Sequence, residues 1–177
     1  SQDGVNAMAA LGFRDCVTQI PLGYDPTLFF PQESTRITAT RKRLKLHAPT
    51  IGYFGRLAPE KGAHLLMEAL SHLKDLNWQF LCDRFSSYSS PYGRTLEVTL
   101  ARLGLAGRTI FFDARHEEMP DYINAADIVV LPSVTVGNIR EQYGRVIPEA
   151  MACGKIVVGS TCGALPELID GCGYIVP

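Results

Sequence analysis

The stretch EQYGRVIPEAMACG, residues 141–154, sets two glutamates on either side of a tyrosine–glycine pair. Seven residues separate Glu141 from Glu149. A solvated helix face needs neither the glycine nor the proline, and a core helix rejects both carboxylates. The pattern suits a helix N-terminus built around a phosphate. In a helix starting near Arg145, the backbone N–H groups of Arg145, Val146 and Ile147 lack intrahelical partners and, with the helix dipole, form an anion site. Pro148 falls where a missing N–H costs nothing. Gly144 is expected to let a ligand approach the backbone closely. Glu149 sits about one turn further in, roughly 5–6 Å along the axis. Its two oxygens can accept from adjacent hydroxyls, such as the diol of a ribose. Glu141, on the preceding loop, is placed for other hydroxyls, those of a sugar. Glutamates near helix starts also act as simple dipole partners. That reading explains either glutamate alone, but explains the pair, the glycine and the proline less well.

A second candidate is GRLAPEKG, residues 55–62. Gly55 ends a strand-like run, and Arg56 and Lys61 stand at either end of a loop leading into a helix. An arginine fork and a lysine point charge converging on one place suit a diphosphate. The alternative is an exposed basic pair bridged to Glu60. No GxxxxGK[ST], GxGxxG or GxSxG occurs, so a Walker loop, a nicotinamide or flavin site and a nucleophile elbow have no support. Asp-x-Asp is absent, which argues against a metal-held diphosphate. His47, His64, His72 and His116 lack metal-site spacing and read as surface or satisfied histidines. Glu167, in the helix-start pattern GALPE, reads as a capping residue.

These residues need a frame. TIGYFG, WQFLC, TIFFD, DIVVLPS, KIVVGS and GYIVP read as short buried strands, and helical stretches separate them. AHLLMEALSHLK gathers Leu65, Leu66, Ala69, Leu70 and Leu73 on one apolar side. That alternation predicts an α/β, Rossmann-like three-layer domain with a mostly parallel sheet. Ligands of such sheets bind at the carboxyl ends of strands, which singles out 55–61, 82–93, 113–119 and 132–144. Before the first strand come a short helical tail ending at Gly12, a β-like CVTQI, a proline- and aromatic-rich PLGYDPTLFFP, and a basic helix in TRITATRKRLKLHAP read as solvated.

The 177 residues suffice for one packed domain and are short for two. A net charge of −1 gives no electrostatic case for nucleic acid or an anionic membrane. No apolar run approaches the roughly 20 residues of a membrane span. The five cysteines, without CxxC, read as reduced and cytosolic, and a Cys162–Cys172 bridge is not expected. The chain opens on Ser1 and is expected to be a piece of a longer one.

Taken in order, GRLAPEKG, DIVVLPS and EQYGRVIPEAMACGKIVVGSTCGALPELIDGCGYIVP resemble the C-terminal half of family-4 glycosyltransferases of the GT-B fold. Two glutamates seven residues apart are that family's hallmark. IPLGYDPTLF is similar to its crossover between domains. The resemblance runs from about Cys16 onward. It implies that residues 1–30 are the crossover or the end of an acceptor domain, and that 31–177 form the donor-binding domain.

The resemblance further implies that Gly55, Arg56 and Lys61 meet the donor diphosphate and that Glu141 holds the transferred sugar. Tyr143, Gly144, Arg145 and Val146 then lie at the phosphates, Glu149 at the ribose, and Ala114, Arg115 and Met119 around the base. Arg56, Lys61 and Glu141 are the implied catalytic residues. The expected donor is UDP-glucose, with GDP-mannose open, and no metal or other cofactor is expected. Transfer with retention of configuration, to an acceptor glycan or glycolipid held by a missing N-terminal domain, is the implied reaction. The expected place is the cytoplasm, with any contact to the inner membrane made by that domain. A GT-B epimerase or hydrolase and a non-catalytic nucleotide-binding module are the rival readings. The sequence departs from the family in Gln142-Tyr143, in Lys155, in the long VTVGNIR connection and in DRFSSYSSPYG after the second strand.

Overall fold

The computed structural model describes residues 1–13, 17–84 and 90–177. Six strands form one sheet, and every pairing in it is parallel. They are β1 (Thr50–Tyr53), β2 (Gln79–Asp83), β3 (Thr109–Phe112), β4 (Ile128–Leu131), β5 (Ile156–Ser160) and β6 (Tyr174–Val176), in the spatial order β3-β2-β1-β4-β5-β6. The chain winds outward from β1 to β3, then returns to lay β4 on the other side of β1. The expected α/β, Rossmann-like sheet is what forms. The loops after β1 and β4 diverge from neighbouring strands, where such folds open a crevice.

Helices α1 (Gln2–Ala10) and α2 (Ser34–Arg43) precede the sheet. Connecting or following the strands are α3 (Ala63–Ser71), α4 (Pro91–Arg102), α5 (Met119–Ala125), α6 (Val146–Ala152) and α7 (Leu165–Ile169). Strand residues alternate between two cores, as period-2 geometry requires. Phe54, Leu81, Val129, Leu131 and Val157 face α5, α6 and α7. Tyr53, Phe80 and Cys82 face α3 and α4. No helix among the described residues is long and apolar enough to cross a membrane.

The apolar side expected for α3 divides in two. Leu66 and Leu70 enter the core beside Ala63 and Met67. Leu65, Ala69 and Leu73 stay exposed and, with Leu66 and Leu70, line an open groove of about 570 Å³ closed by Ile51, Val130 and Val158 from the sheet. The β-like reading of CVTQI fails where it can be judged. Val17–Ile20 form no strand, and Ile20 is exposed, with no sheet edge beside it to supply ladder bonds. Cys16 and residues 85–89 of the polar loop lie outside the described residues. Cys162 and Cys172 are free thiols.

The basic helix α2 is less solvated than its charge suggests. Arg41 donates to the carbonyls of Ala125 and Ala48, both at 2.7 Å, and pairs with Asp127 at 3.3 Å. Asp127 also accepts from the Thr50 N–H at 2.7 Å, so one arginine ties α2 to the end of α5 and the start of β1. Lys155 does similar work at the same end of α5, donating to the Asn124 carbonyl at 2.7 Å. Replacing Arg41 by alanine leaves two carbonyls short of a charged donor. The expected cost is about 2 kcal/mol, read as a fall of roughly 4–8 °C in the thermal midpoint; an unchanged midpoint refutes this role.

Candidate functional site

A cavity of about 500 Å³ opens at the carboxyl ends of β1, β3 and β4. Gly55, Arg56 and Lys61 reach it from the loop after β1, and Ala114 and Met119 from the segment after β3. Glu141, Tyr143, Gly144, Arg145, Val146 and Glu149 reach it from the loop after β4 and the start of α6. Eleven of the twelve residues singled out from the sequence thus meet in one place. Arg115 does not. Its side chain is 80% exposed, and both its backbone N–H and its guanidinium turn to Glu118, at 3.0 and 3.5 Å. His116 lines the cavity in its place, a surface histidine as the sequence reading had it, but one at the site. Its ring packs on Phe29, with centroids 5.6 Å apart. Phe54, Leu131 and Gln142 also line the wall and carried no signal of their own.

The basic loop is short and well supported. After Gly55, residues Pro59–Lys61 form a 3-10 turn that runs into α3. The buried hydroxyl of Tyr53 donates to the Arg56 carbonyl at 2.9 Å, at the start of the loop. Burial pushes that phenol far above its ordinary range, so it remains a donor at neutral pH. The two cations have different neighbours. Arg56 is exposed and only loosely paired with Glu60, at 3.6 Å. Lys61 crosses the cavity to Glu141, at 2.7 Å. The bridge to Glu60 considered from sequence therefore holds for Arg56 and not for Lys61.

Glu141 is 8% exposed, unusual for a carboxylate on a loop. Its side chain accepts from Lys61 and, at 2.8 Å, from the Ser133 hydroxyl. Its backbone carbonyl accepts from the Ala164 N–H at 3.0 Å, and its own N–H points to the Cys162 sulfur at 3.5 Å. Gly163 makes that approach possible. It has φ +58°, and a Cβ there would lie 1.9 Å from the Glu141 carbonyl oxygen. Burial pushes the Glu141 carboxyl up, but the hydrogen bond and charge of Lys61 and the Ser133 hydroxyl outweigh it, leaving it below the usual range.

Helix α6 starts one residue later than expected, with Arg145 as its cap. The Ile147 N–H is spent on the Gly144 carbonyl at 2.9 Å, which leaves those of Arg145 and Val146 for an anion. Gly144 has φ +79°, and a Cβ there would meet the Leu165 and Leu131 side chains at 2.7 and 2.9 Å. Backbone conformation and core packing thus require the glycine, beyond any ligand approach. Glu149, in the first turn, is held up by burial, which Arg145 and His116 only partly offset. The Tyr143 hydroxyl donates to the Leu22 carbonyl, fastening the segment before α2 to the rim. Glu167 takes the Gln2 N–H at 2.9 Å and the Gln19 amide at 3.2 Å, so it holds the N-terminal segment rather than capping α7. Among the described residues, no three His, Cys, Asp or Glu side chains cluster as a metal site needs.

Breaking the Lys61–Glu141 pair has a signed pH signature. In the intact chain the depressed carboxyl contributes stability that is present above its unfolded pKa and is lost as pH falls through the folded one. Lys61→Met strands a buried carboxylate and is expected to cost about 3–5 kcal/mol near neutral pH. With the folded pKa now raised, that cost should shrink on acidification. Urea unfolding at two pH values reads this, and a loss that does not shrink on acidification overturns it.

The model for "Glycosyl transferases group 1" matches residues 48–177. D-inositol 3-phosphate glycosyltransferase of Stackebrandtia nassauensis is 34% identical over 168 residues, which is 89% of this chain and 36% of that protein. The structure of Anabaena HepE in complex with UDP-glucose superposes with a TM-score of 0.85 at 30% identity, covering 99% of this chain and 48% of that one. The C-terminal domain of LpcC, a group 1 glycosyl transferase of Francisella tularensis, superposes with a TM-score of 0.67 at 29% identity, over 87% of this chain and 80% of that one. The chain spans little more than a third of the curated relative's length, and over that span it belongs to the group 1 glycosyl transferases.

Proposed function

We propose that this chain is the C-terminal, donor-binding domain of a retaining family-4 glycosyltransferase that moves glucose from UDP-glucose to an acceptor hydroxyl. One observation carries the reading. Three cations, Arg56, Lys61 and Arg145, and two carboxylates, Glu141 and Glu149, line a single cavity at the strand ends. Cations suit a diphosphate, and carboxylates suit the hydroxyls on either side of it. The similarity to HepE with UDP-glucose supports the donor, and the similarity to the LpcC domain supports the place in a longer chain.

In this reading residues 31–177 form the donor domain and 1–30 the crossover. Arg56, Lys61 and the N–H groups at Arg145 and Val146 act where charge develops on the departing diphosphate. No metal is assigned a part in that step. Glu141 orients the sugar and Glu149 holds the ribose diol. Ala114, His116 and Met119 surround the base. The acceptor, a glycan or glycolipid of polysaccharide or glycoconjugate assembly, is held by the other domain. The place of action is the cytoplasm, with any contact at the inner membrane left to that domain.

Calorimetric titration with UDP, GDP and ADP, beside Glu149→Ala, tests the reading. UDP should bind selectively, and the variant should lose about 10–100-fold, the worth of hydrogen bonds to a charged acceptor. Selective GDP binding replaces the donor, and binding of none of the three overturns the reading for this chain. The raised pKa of Glu149 adds a pH test. Ribose hydroxyls donate to the ionised form, so acidification weakens UDP binding from a pH above the ordinary glutamate pKa of about 4.3. Glu149→Gln should lack that component, and parallel profiles for the two proteins refute the ribose role.

A further inference from the structure

Ser133 has no part in the reading above, yet it touches the residue on which the sugar depends. It follows Pro132 at the end of β4 and is 1% exposed. Its hydroxyl donates to Oε2 of Glu141 at 2.8 Å, and Lys61 Nζ reaches the same oxygen at 2.7 Å. A carboxylate oxygen offers about two lone-pair sites. Lys61 and Ser133 both crowd Oε2, which makes Oε1 the more open oxygen for a substrate hydroxyl.

Ser133 is itself anchored. The Ser160 hydroxyl, at the end of β5, donates to the Ser133 carbonyl. The same Ser160 oxygen accepts from the Cys162 N–H at 3.3 Å, and Cys162 carries the sulfur facing the Glu141 N–H. Glu141 is thus gripped at its side chain and at its backbone by groups rooted in the ends of two adjacent strands. The Tyr143 backbone N–H also bonds to this carboxylate; of the two side chains that donate to it, Lys61 is a cation that a diphosphate competes for. Ser133 is neutral and buried, and has no such competitor.

We propose that Ser133 is a positioning residue that holds Oε2 of Glu141 and so presents Oε1 to the donor sugar while Lys61 turns to the diphosphate. The proposal rests on the donor-site reading above. It predicts a defect confined to the sugar. Ser133→Ala should keep its affinity for UDP within about twofold and lose roughly tenfold in its preference for UDP-glucose over UDP, the size of one charge-assisted hydrogen bond. Ser133→Thr, which restores a hydroxyl, should recover most of that preference.

The experiment is titration of the intact chain and of Ser133→Ala, Ser133→Thr and Glu141→Ala with UDP and with UDP-glucose. A sugar-selective loss in Ser133→Ala, recovered in Ser133→Thr and exceeded in Glu141→Ala, supports the proposal. Equal losses for both ligands in Ser133→Ala mean general damage to the cavity and overturn it. An unchanged Ser133→Ala beside a sugar-selective defect in Glu141→Ala overturns the positioning role and leaves the donor-site reading standing. No sugar-selective defect in Glu141→Ala overturns the sugar role of Glu141, and the role of Ser133 with it.

Discussion

The pairing of β1 with β4 is the constraint on which the rest depends. These strands are distant in sequence and meet at Ile51↔Ile128 and Gly52↔Val129. Because they run parallel, the loops that leave them start side by side on the same edge of the sheet. One loop delivers Arg56 and Lys61, and the other delivers Glu141 and the cap of α6. A slip of one residue would turn every side chain of β4 to the opposite face. Val129 and Leu131 would leave the core, and Glu141 would no longer meet Lys61. Arg41 and Asp127 guard this register from the far end, by fixing the residues that enter both strands.

The two glutamates occupy opposite electrostatic situations, eight positions apart on one segment. Glu141 has donors built around it and is held ionised. Glu149 is partly buried without comparable compensation, and its proton is held more tightly than usual. One carboxylate is preorganised by donors of the protein, and the other has only two nearby cationic groups to offset its burial. That division follows from position. Glu141 sits on a loop clamped by β4 and β5, whereas Glu149 lies in the first turn of a short helix, whose own N–H groups point away from it along the axis.

Much of this was legible in the sequence, and the failures have physical causes. The strand–helix alternation and the spacing of Glu141 and Glu149 survive because both are periodic or local properties. Arg115 and His116 are neighbours, and the tight turn at His116–Glu118 decides which of them faces the cavity. Spacing carries no information about that rotation. Ser133 and Tyr53 were invisible as site residues because their roles lie in single hydrogen bonds across the tertiary fold. The β-like CVTQI had suitable residues in its readable part and no partner strand, and a strand is a relation between segments. The connection VTVGNIR folds back in a tight turn bridged from Val136 to Ile139.

The contact between Lys61 and Glu141 also bears on which anions suit the cavity. Its innermost cation already has a buried anion at 2.7 Å. A bare phosphate or sulfate ion must displace that carboxylate and leave it buried beside a new negative charge, an exchange with little net gain. A molecule that carries a diphosphate next to a sugar avoids the conflict. In the proposed donor complex its phosphates would take the lysine, and its hydroxyls would take the carboxylate. On the proposed reading the pair would act as a filter on composition, favouring anions that bring their own hydrogen-bond donors over simple ones.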